Sequence, residues 1–262
     1  MSILLGIKSS SRESESYSNK KIRCGDCFRA MKGASDLFVY DEWLSDVMSK
    51  PTYALHNLND GNLICLPKGD SFIYAKVPTD SVSKLILLQQ MGFYIVATNV
   101  QFILSNPSLE NGIVEARFAE LEDCTAVKAL AHEAFHYDRF HQDPNISNEV
   151  ASNIKQEWAN NFFSGNRGEW MIVVEDTEGI KGFLQLLNDN HHGLTIDLIA
   201  VKNSLKRQGI GRAMIAFASN SCLATPKTIK VGTQIANIAS VRMYLYLGFK
   251  LTSATYVLHY HS

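Results

Sequence analysis

Two glycines one residue apart, with cations on both sides, are the part of this chain best suited to chemistry. Lys206, Arg207, Gln208, Gly209, Ile210, Gly211 and Arg212 follow an apolar run at 194–201 and open a helical pattern. In such a strand-to-helix turn successive backbone N–H groups converge on one anion, and the helix N-terminus adds positive potential. No Gly-Lys-Ser/Thr follows, which excludes a nucleoside triphosphatase loop. Met214 stands where a dinucleotide fingerprint has its third glycine. A plain tight turn is the alternative reading, and the surrounding cations weigh against it.

The charge pattern points to the same segment. The chain has 262 residues with 25 Lys+Arg against 26 Asp+Glu, so no global basic field favours nucleic acid. Residues 1–110 carry 11 basic and 11 acidic side chains, residues 111–197 carry 6 and 15, and residues 198–262 carry 8 basic and none acidic. Asp197 is the last side-chain carboxylate. The final quarter is therefore expected to present an electropositive surface to a small polyanion, unless its cations pair with the acidic stretch before them.

The elements that must hold this loop read as α/β from about residue 111. Val127, Leu130, Ala131, Ala134 and Phe135 recur at helical spacing after Asp123, a candidate N-cap, and a second helix is expected at 151–163. Residues 170–174 and 182–187 read as a hairpin turning at 176–179, followed by a strand at 194–201. Ile210, Met214, Phe217 and Ala218 share a helix face; then come a strand at 228–232, a helix at 240–247 and a closing pair of strands after Gly248. In the first 110 residues a helix is expected at 82–90. There Met91, Gly92 and Phe93 precede a run to Leu104 much as Leu247, Gly248 and Phe249 precede a run to Tyr260. Helix, Gly-Phe and strand thus occur twice, a degenerate half-repeat.

Five scattered cysteines with no secretory signal suggest a reducing cytoplasm. Cys24 and Cys27 have CxxC spacing, yet no second pair or nearby histidines complete a metal cage, so no metal is expected. Nor is membrane insertion.

The loop at 206–211, followed by Asn237, Tyr244, Leu247, Gly248 and Phe249, resembles the GCN5-related N-acetyltransferase (GNAT) superfamily. Lys206 departs from the usual Arg/Gln of its acetyl-coenzyme A loop. The resemblance implies an α/β fold with a mixed, mostly antiparallel sheet over residues 111–262, and a smaller partial GNAT-like unit at 1–110 contributing to the acceptor cleft. A narrower resemblance rests on residues 134–140, Trp158, residues 231–237 and residues 253–258. It is to acetyltransferases acting on the 4-amino group of nucleotide-linked 4-amino-4,6-dideoxy sugars, of the dTDP type. The implied activity is direct acetyl transfer from acetyl-coenzyme A to a small-molecule amine, in a cytoplasmic protein compatible with a homodimer. A different amine (a peptide N-terminus, polyamine or antibiotic) and a non-catalytic acyl-coenzyme A sensor are the competing functions.

The resemblance also assigns roles. Tyr244 would give the leaving thiolate its proton; otherwise it packs its helix. Asp197 would be the general base, or would anchor Lys202 or an arginine. His191 and His192, just before the strand, could titrate in the right range but suit a solvated loop. Ile199, Ala200 and Val201 would bind pantetheine by their backbone, residues 206–212 the pyrophosphate, and Asn237 the cofactor side. On the acceptor side, Arg139 would grip a diphosphate, or pair with Asp138, Asp143 or Glu133. Thr233 and Gln234 would bond the sugar. Tyr137, Phe140 and Trp158 would stack a ring or form a buried cluster.

Overall fold

The computed structural model describes residues 37–58, 64–110, 114–189, 192–222 and 226–262; Cys24, Cys27 and His191 lie outside them. In chain order come β1 (Phe38–Tyr40), α1 (Glu42–Met48), β2 (Thr52–Leu55), β3 (Phe72–Pro78), α2 (Val82–Gln90) and β4 (Tyr94–Ser105). They are followed by β5 (Arg117–Phe118), α3 (Cys124–Ala134), α4 (Asn148–Phe163), β6 (Trp170–Asp176), β7 (Gly179–Asn188), β8 (Gly193–Val201), α5 (Ile210–Ser221), β9 (Thr228–Gln234), α6 (Ile238–Tyr246) and β10 (Lys250–His261).

Alternation along β6 decides the layers. Met171 and Val173 enter a core with Val127, Leu130 and Ala131 of α3 and Ala159 of α4. Ile172 and Val174 enter another with Ile210, Met214 and Ile215 of α5 and Tyr244 of α6. Successive side chains of a strand point to opposite faces, so a strand covered on both must be apolar throughout. Local chemistry fixes the helix starts: the Ser147 hydroxyl accepts from the Val150 N–H, and the Asn237 side chain from the Ser240 N–H at 3.2 Å. Asp123 departs from its expected capping of α3. Its carboxylate instead receives the Glu120 N–H and a bidentate Arg117, closing a capping box on the short turn before the helix.

All ten strands form one mixed sheet in the order β1-β2-β3-β10-β4-β9-β8-β7-β6-β5. The expected units at 1–110 and 111–262 share it, because β4 lies between β9 and β10. The closing strand pair expected after Gly248 is instead the single strand β10, bonded to β3 on one side and β4 on the other. The first part of the chain supplies both neighbours, so no second strand is needed.

The half-repeat continues through this interleaving. β3, α2 and β4 match β9, α6 and β10 in length, and each starts 156 residues before its counterpart (228 minus 72, 238 minus 82, 250 minus 94). Gly92 and Gly248, with φ of +95° and +86°, end the two helices in the left-handed conformation that glycine adopts without strain. β4 and β10 pair antiparallel about Asn99 and Thr255, and the residues skipped in their register, Val96 and Thr252, are again 156 apart (252 minus 96). The unit therefore pairs with its own copy around a pseudo-two-fold axis.

Candidate active site

β8 hydrogen-bonds to β9 in parallel from Gly193↔Thr228 to Ile196↔Val231 and then leaves it, while β7 follows β8 as far as Val201. The edge of β8 at Ile199, Ala200 and Val201 therefore faces a wedge whose other wall is β9 at Gly232, Thr233 and Gln234. Asp197 sits at the divergence. It is the extra residue of a bulge, since Gln185 pairs with Leu198 and Leu186 with Ile196. Bulges bend a strand and increase its twist, which is the local cause of the splay.

At the mouth, Lys206, Arg207, Gln208 and Gly209 are exposed, and Arg207 and Gly209 have φ of +69° and +83°. Left-handed residues in this turn, leading into the first amides of α5, make a concave array of donors. Arg212, one turn into α5, has a buried Nε without a hydrogen-bond partner. An anion at the loop would answer that orphan donor, so the residues present fit a pyrophosphate. Among the described residues no ion pair joins Lys206, Arg207 or Arg212 to a carboxylate, whereas Lys230 bonds Asp189 at 2.9 Å.

Two glycines bring the elements together. A Cβ on Gly182 of β7 would lie 2.9 Å from Ile210 Cγ2 and 3.0 Å from the Ala200 carbonyl oxygen. The bare backbone lets the start of α5 settle onto β7 and β8. A Cβ on Gly211 would lie 2.9 Å from Met243 Sδ, the residue before Tyr244, so α5 and α6 meet closely there.

Tyr244 is 1% exposed; its ring lies 5.9 Å from Phe102 and 5.4 Å from Phe249. The hydroxyl has no protein hydrogen-bond partner among the described residues, and burial pushes its pKa well above the ordinary phenol value. The phenol is thus held protonated, as a proton donor must be. Tyr246, 78% exposed, faces away.

Asp197 takes the anchoring alternative, with Arg167 rather than Lys202 as its partner. Arg167 Nε and Nη2 each donate to it at 2.7 Å, Trp158 Nε1 at 2.8 Å and Gln185 Nε2 at 3.3 Å. A carboxylate so fully engaged orients its neighbours, and this geometry argues against its role as general base. Asn237 is occupied in capping α6. Gln234 Nε2 donates to Asn99 Oδ1 at 3.1 Å, and Thr233 is buried on the same strand.

The acceptor-side candidates lie in and beside the connection between α3 and α4. Arg139 is sandwiched between the rings of Tyr74 and Phe140, 3.9 and 4.3 Å from their centroids. Its Nη1 is buried and lacks a partner, and none of the expected carboxylates forms an ion pair with it. Burial works against its charge, offset by Tyr74, Asp41 and Asp138. Phe140 is a core residue at 1% exposure, so the buried-cluster alternative is the one realised there. Trp158 packs edge-on against Trp43 and lies under Lys155 and Arg167. Tyr137 and His192 are exposed.

Sequence reasoning missed Arg167, Lys155 and Gly182. A glycine inside an apolar strand does signal close backbone approach. Arg167 and Lys155 carry no such signal, because their partners are distant in the chain. Asp143, His259 and His261 could offer a metal three ligand atoms within 4.8 Å of one another. Their facing atoms hydrogen-bond each other, His259 Nδ1 and His261 Nε2 lying 2.6 and 2.9 Å from Asp143 Oδ2.

The parallel pair β8 and β9 splays toward the cationic loop, and Tyr244 lies in the core cluster that backs both strands. A family model described as an acetyltransferase (GNAT) domain matches residues 130–259. The chain is 28% identical over 193 residues to the spore coat polysaccharide biosynthesis protein SpsD of Bacillus subtilis (strain 168), covering 72% of this chain and 66% of that one, just under two thirds of its length. It is also 28% identical over 193 residues to the dTDP-fucosamine acetyltransferase of Escherichia coli O6:H1, covering 72% and 81%. A conserved protein of unknown function from Staphylococcus epidermidis ATCC 12228 shares the fold with TM-score 0.52 at 16% identity, covering 72% and 71% of the two chains. Residues 130–259 thus form a GNAT acetyltransferase domain, and acetyltransferases of this fold take their acyl group from acetyl-coenzyme A. Among the described residues no helix is long and apolar enough to cross a membrane.

Proposed function

We propose that the protein transfers acetyl from acetyl-coenzyme A directly to the amine of a nucleotide-activated amino sugar, of the dTDP-4-amino-4,6-dideoxy type. The observation that carries this reading is the wedge between β8 and β9, closed at one end by the 206–212 loop and bordered by Tyr244. The backbone of residues 199–201 aligns the pantetheine arm as an added strand and offers N–H groups to the thioester oxygen. The neutral amine bonds to the carbonyl carbon, the carbon–sulfur bond breaks, sulfur takes the Tyr244 proton, and the surplus proton on nitrogen passes through water to restore the phenol. The amide and free thiol result.

The sugar reading draws on the E. coli relative's printed name. Stacked on Tyr74 of β3, Arg139 is held partly by the N-terminal half, in keeping with a contribution of residues 1–110 to the acceptor cleft.

The test is thiol release with acetyl-coenzyme A and a panel of nucleotide amino sugars, polyamines and peptides. Turnover is expected with the dTDP-4-amino sugars; turnover confined to polyamines or peptides would overturn the substrate class. Tyr244→Phe is expected to lower kcat by about 10²-fold with acetyl-coenzyme A affinity unchanged.

A further inference from the structure

The repeat also duplicates the wedge. β2 runs parallel to β3 from Thr52↔Phe72 to Leu55↔Ala75, and β8 runs parallel to β9 from Gly193↔Thr228 to Ile196↔Val231. Both pairings span four residues and stop at counterparts, Ala75 and Val231 (231 minus 75 is again 156). Beyond Leu55 the chain parts from β3, and a cavity of about 400 Å³ lies there, walled by residues 55–58, residues 74–78, Lys84 and Leu88. β10 and β4 separate β3 from β9 and the transfer wedge.

The counterpart residues show what was kept and what was lost. Leu88 occupies the place of Tyr244, so the second wedge has no proton donor there. The chain runs from β2 to β3 without a counterpart of α5 or its loop among the described residues, so no pyrophosphate cradle accompanies it. Two cations are gained: Lys76 and Lys84 stand where the catalytic half has Gly232 and Ser240. Neither has an ion-pair partner among the described residues, and His56 borders the same cavity. Lys76 is exposed, and partial desolvation together with the nearby Arg139 pushes its pKa below its ordinary value. Apolar surface comes from Leu58, Tyr74 and Pro78, in front of the buried Leu55, Val77 and Leu88. A cavity of this size with two cations among its lining residues fits a small molecule.

We infer that this second wedge is a non-catalytic binding site for a phosphorylated small molecule of nucleoside monophosphate size, its phosphate held by Lys76 and Lys84 and its ring resting on the apolar wall. The cavity adjoins Tyr74, on which Arg139 stacks, and its test reads binding rather than transfer, so it can fail without the proposed function failing.

Calorimetric titration of the full chain with AMP tests it, with coenzyme A present at saturation to occupy the transfer wedge. Saturable binding is expected, weakened at least about 10-fold when adenosine replaces AMP. Lys84→Glu and Lys76→Glu should each weaken it by a similar factor, with Arg212→Ala leaving it unchanged. Circular dichroism and melting of each variant verify folding, and the milder Lys84→Gln supplies a readout should a charge reversal unfold the chain. Absence of saturable binding under coenzyme A, equal affinity for adenosine, or sensitivity to Arg212→Ala with indifference to both lysines would each overturn the site.

Discussion

Gly182→Ala probes the packing that positions the donor loop. Its new Cβ would sit 2.9 Å from Ile210 Cγ2, 3.0 Å from the Ala200 carbonyl oxygen and 3.2 Å from Met214 Cε. Carbon contacts are optimal near 3.5–4.0 Å, so relief requires shifts of roughly 0.5–1 Å. The Met214 terminus can rotate away. The Ala200 oxygen belongs to a strand bonded to β7, so the start of α5 must rise instead. Overpacking of this kind costs about 1–3 kcal/mol, or roughly 2–10 °C in Tm for a chain of this length. Lifting Ile210 also moves the donors of the loop away from the pyrophosphate, and losing about 1.4 kcal/mol there weakens coenzyme A about 10-fold. Calorimetry with coenzyme A and thermal melting read the two effects separately. Gly209→Ala is the contrast: nothing lies within 4 Å of its added Cβ, and only the positive φ resists, at about 1–2 kcal/mol. Wild-type melting and wild-type coenzyme A affinity in Gly182→Ala would refute the reasoning that close approach at β7 sets the loop.

Asp197→Asn should lower Tm and reduce kcat/KM without removing the acidic limb of the pH–rate profile, since the carboxylate organises Arg167 and Trp158; loss of that limb at unchanged Tm would restore it as the base. Burial pushes the His259 pKa down to about 4, with the Asp143 hydrogen bond opposing. The unfolded imidazole takes a proton below about 6.5 and the folded one only below about 4, so this group's stability contribution falls across that window, by about 3 kcal/mol at most. Urea unfolding at pH 7, 5.5 and 4 should show a flatter dependence for His259→Phe than for the wild type, and parallel curves would contradict the assignment. Below that range a buried carboxylate takes over. Burial alone would raise Asp138, but Lys155 and His141 outweigh it and hold its pKa down to about 2, so its contribution is complete above about pH 4 and lost as pH falls toward 2. Asp138→Asn should flatten that acid limb of the melting curve without abolishing it, since Asp143, held low by His259, His261 and Tyr94, titrates there too.

Chemistry that is local in the chain was legible without coordinates. The Gly-x-Gly turn, its cations and the following helix lie within about ten residues, so backbone rules alone locate an anion site. The α2 helix was legible at 82–90, and the Gly-Phe signatures at 92–93 and 248–249 marked a true repeat because each ends a helix with the same left-handed turn. What escaped was set by pairing between distant segments. No periodicity distinguishes one long strand flanked by two neighbours from a hairpin, so β10 was expected as two strands. Arg167 and Asp197 are 30 residues apart, and only the bulge in β8 brings them to bidentate contact. Arg139 was expected at an open binding surface, and the stacking of Tyr74 and Phe140 put its guanidinium in the interior. The sequence alone therefore determined which groups can bind an anion or give up a proton. The sheet order, which slides β4 between β9 and β10, decided which of them share a cavity, because hydrogen-bonded register is a property of strand pairs that no single strand carries.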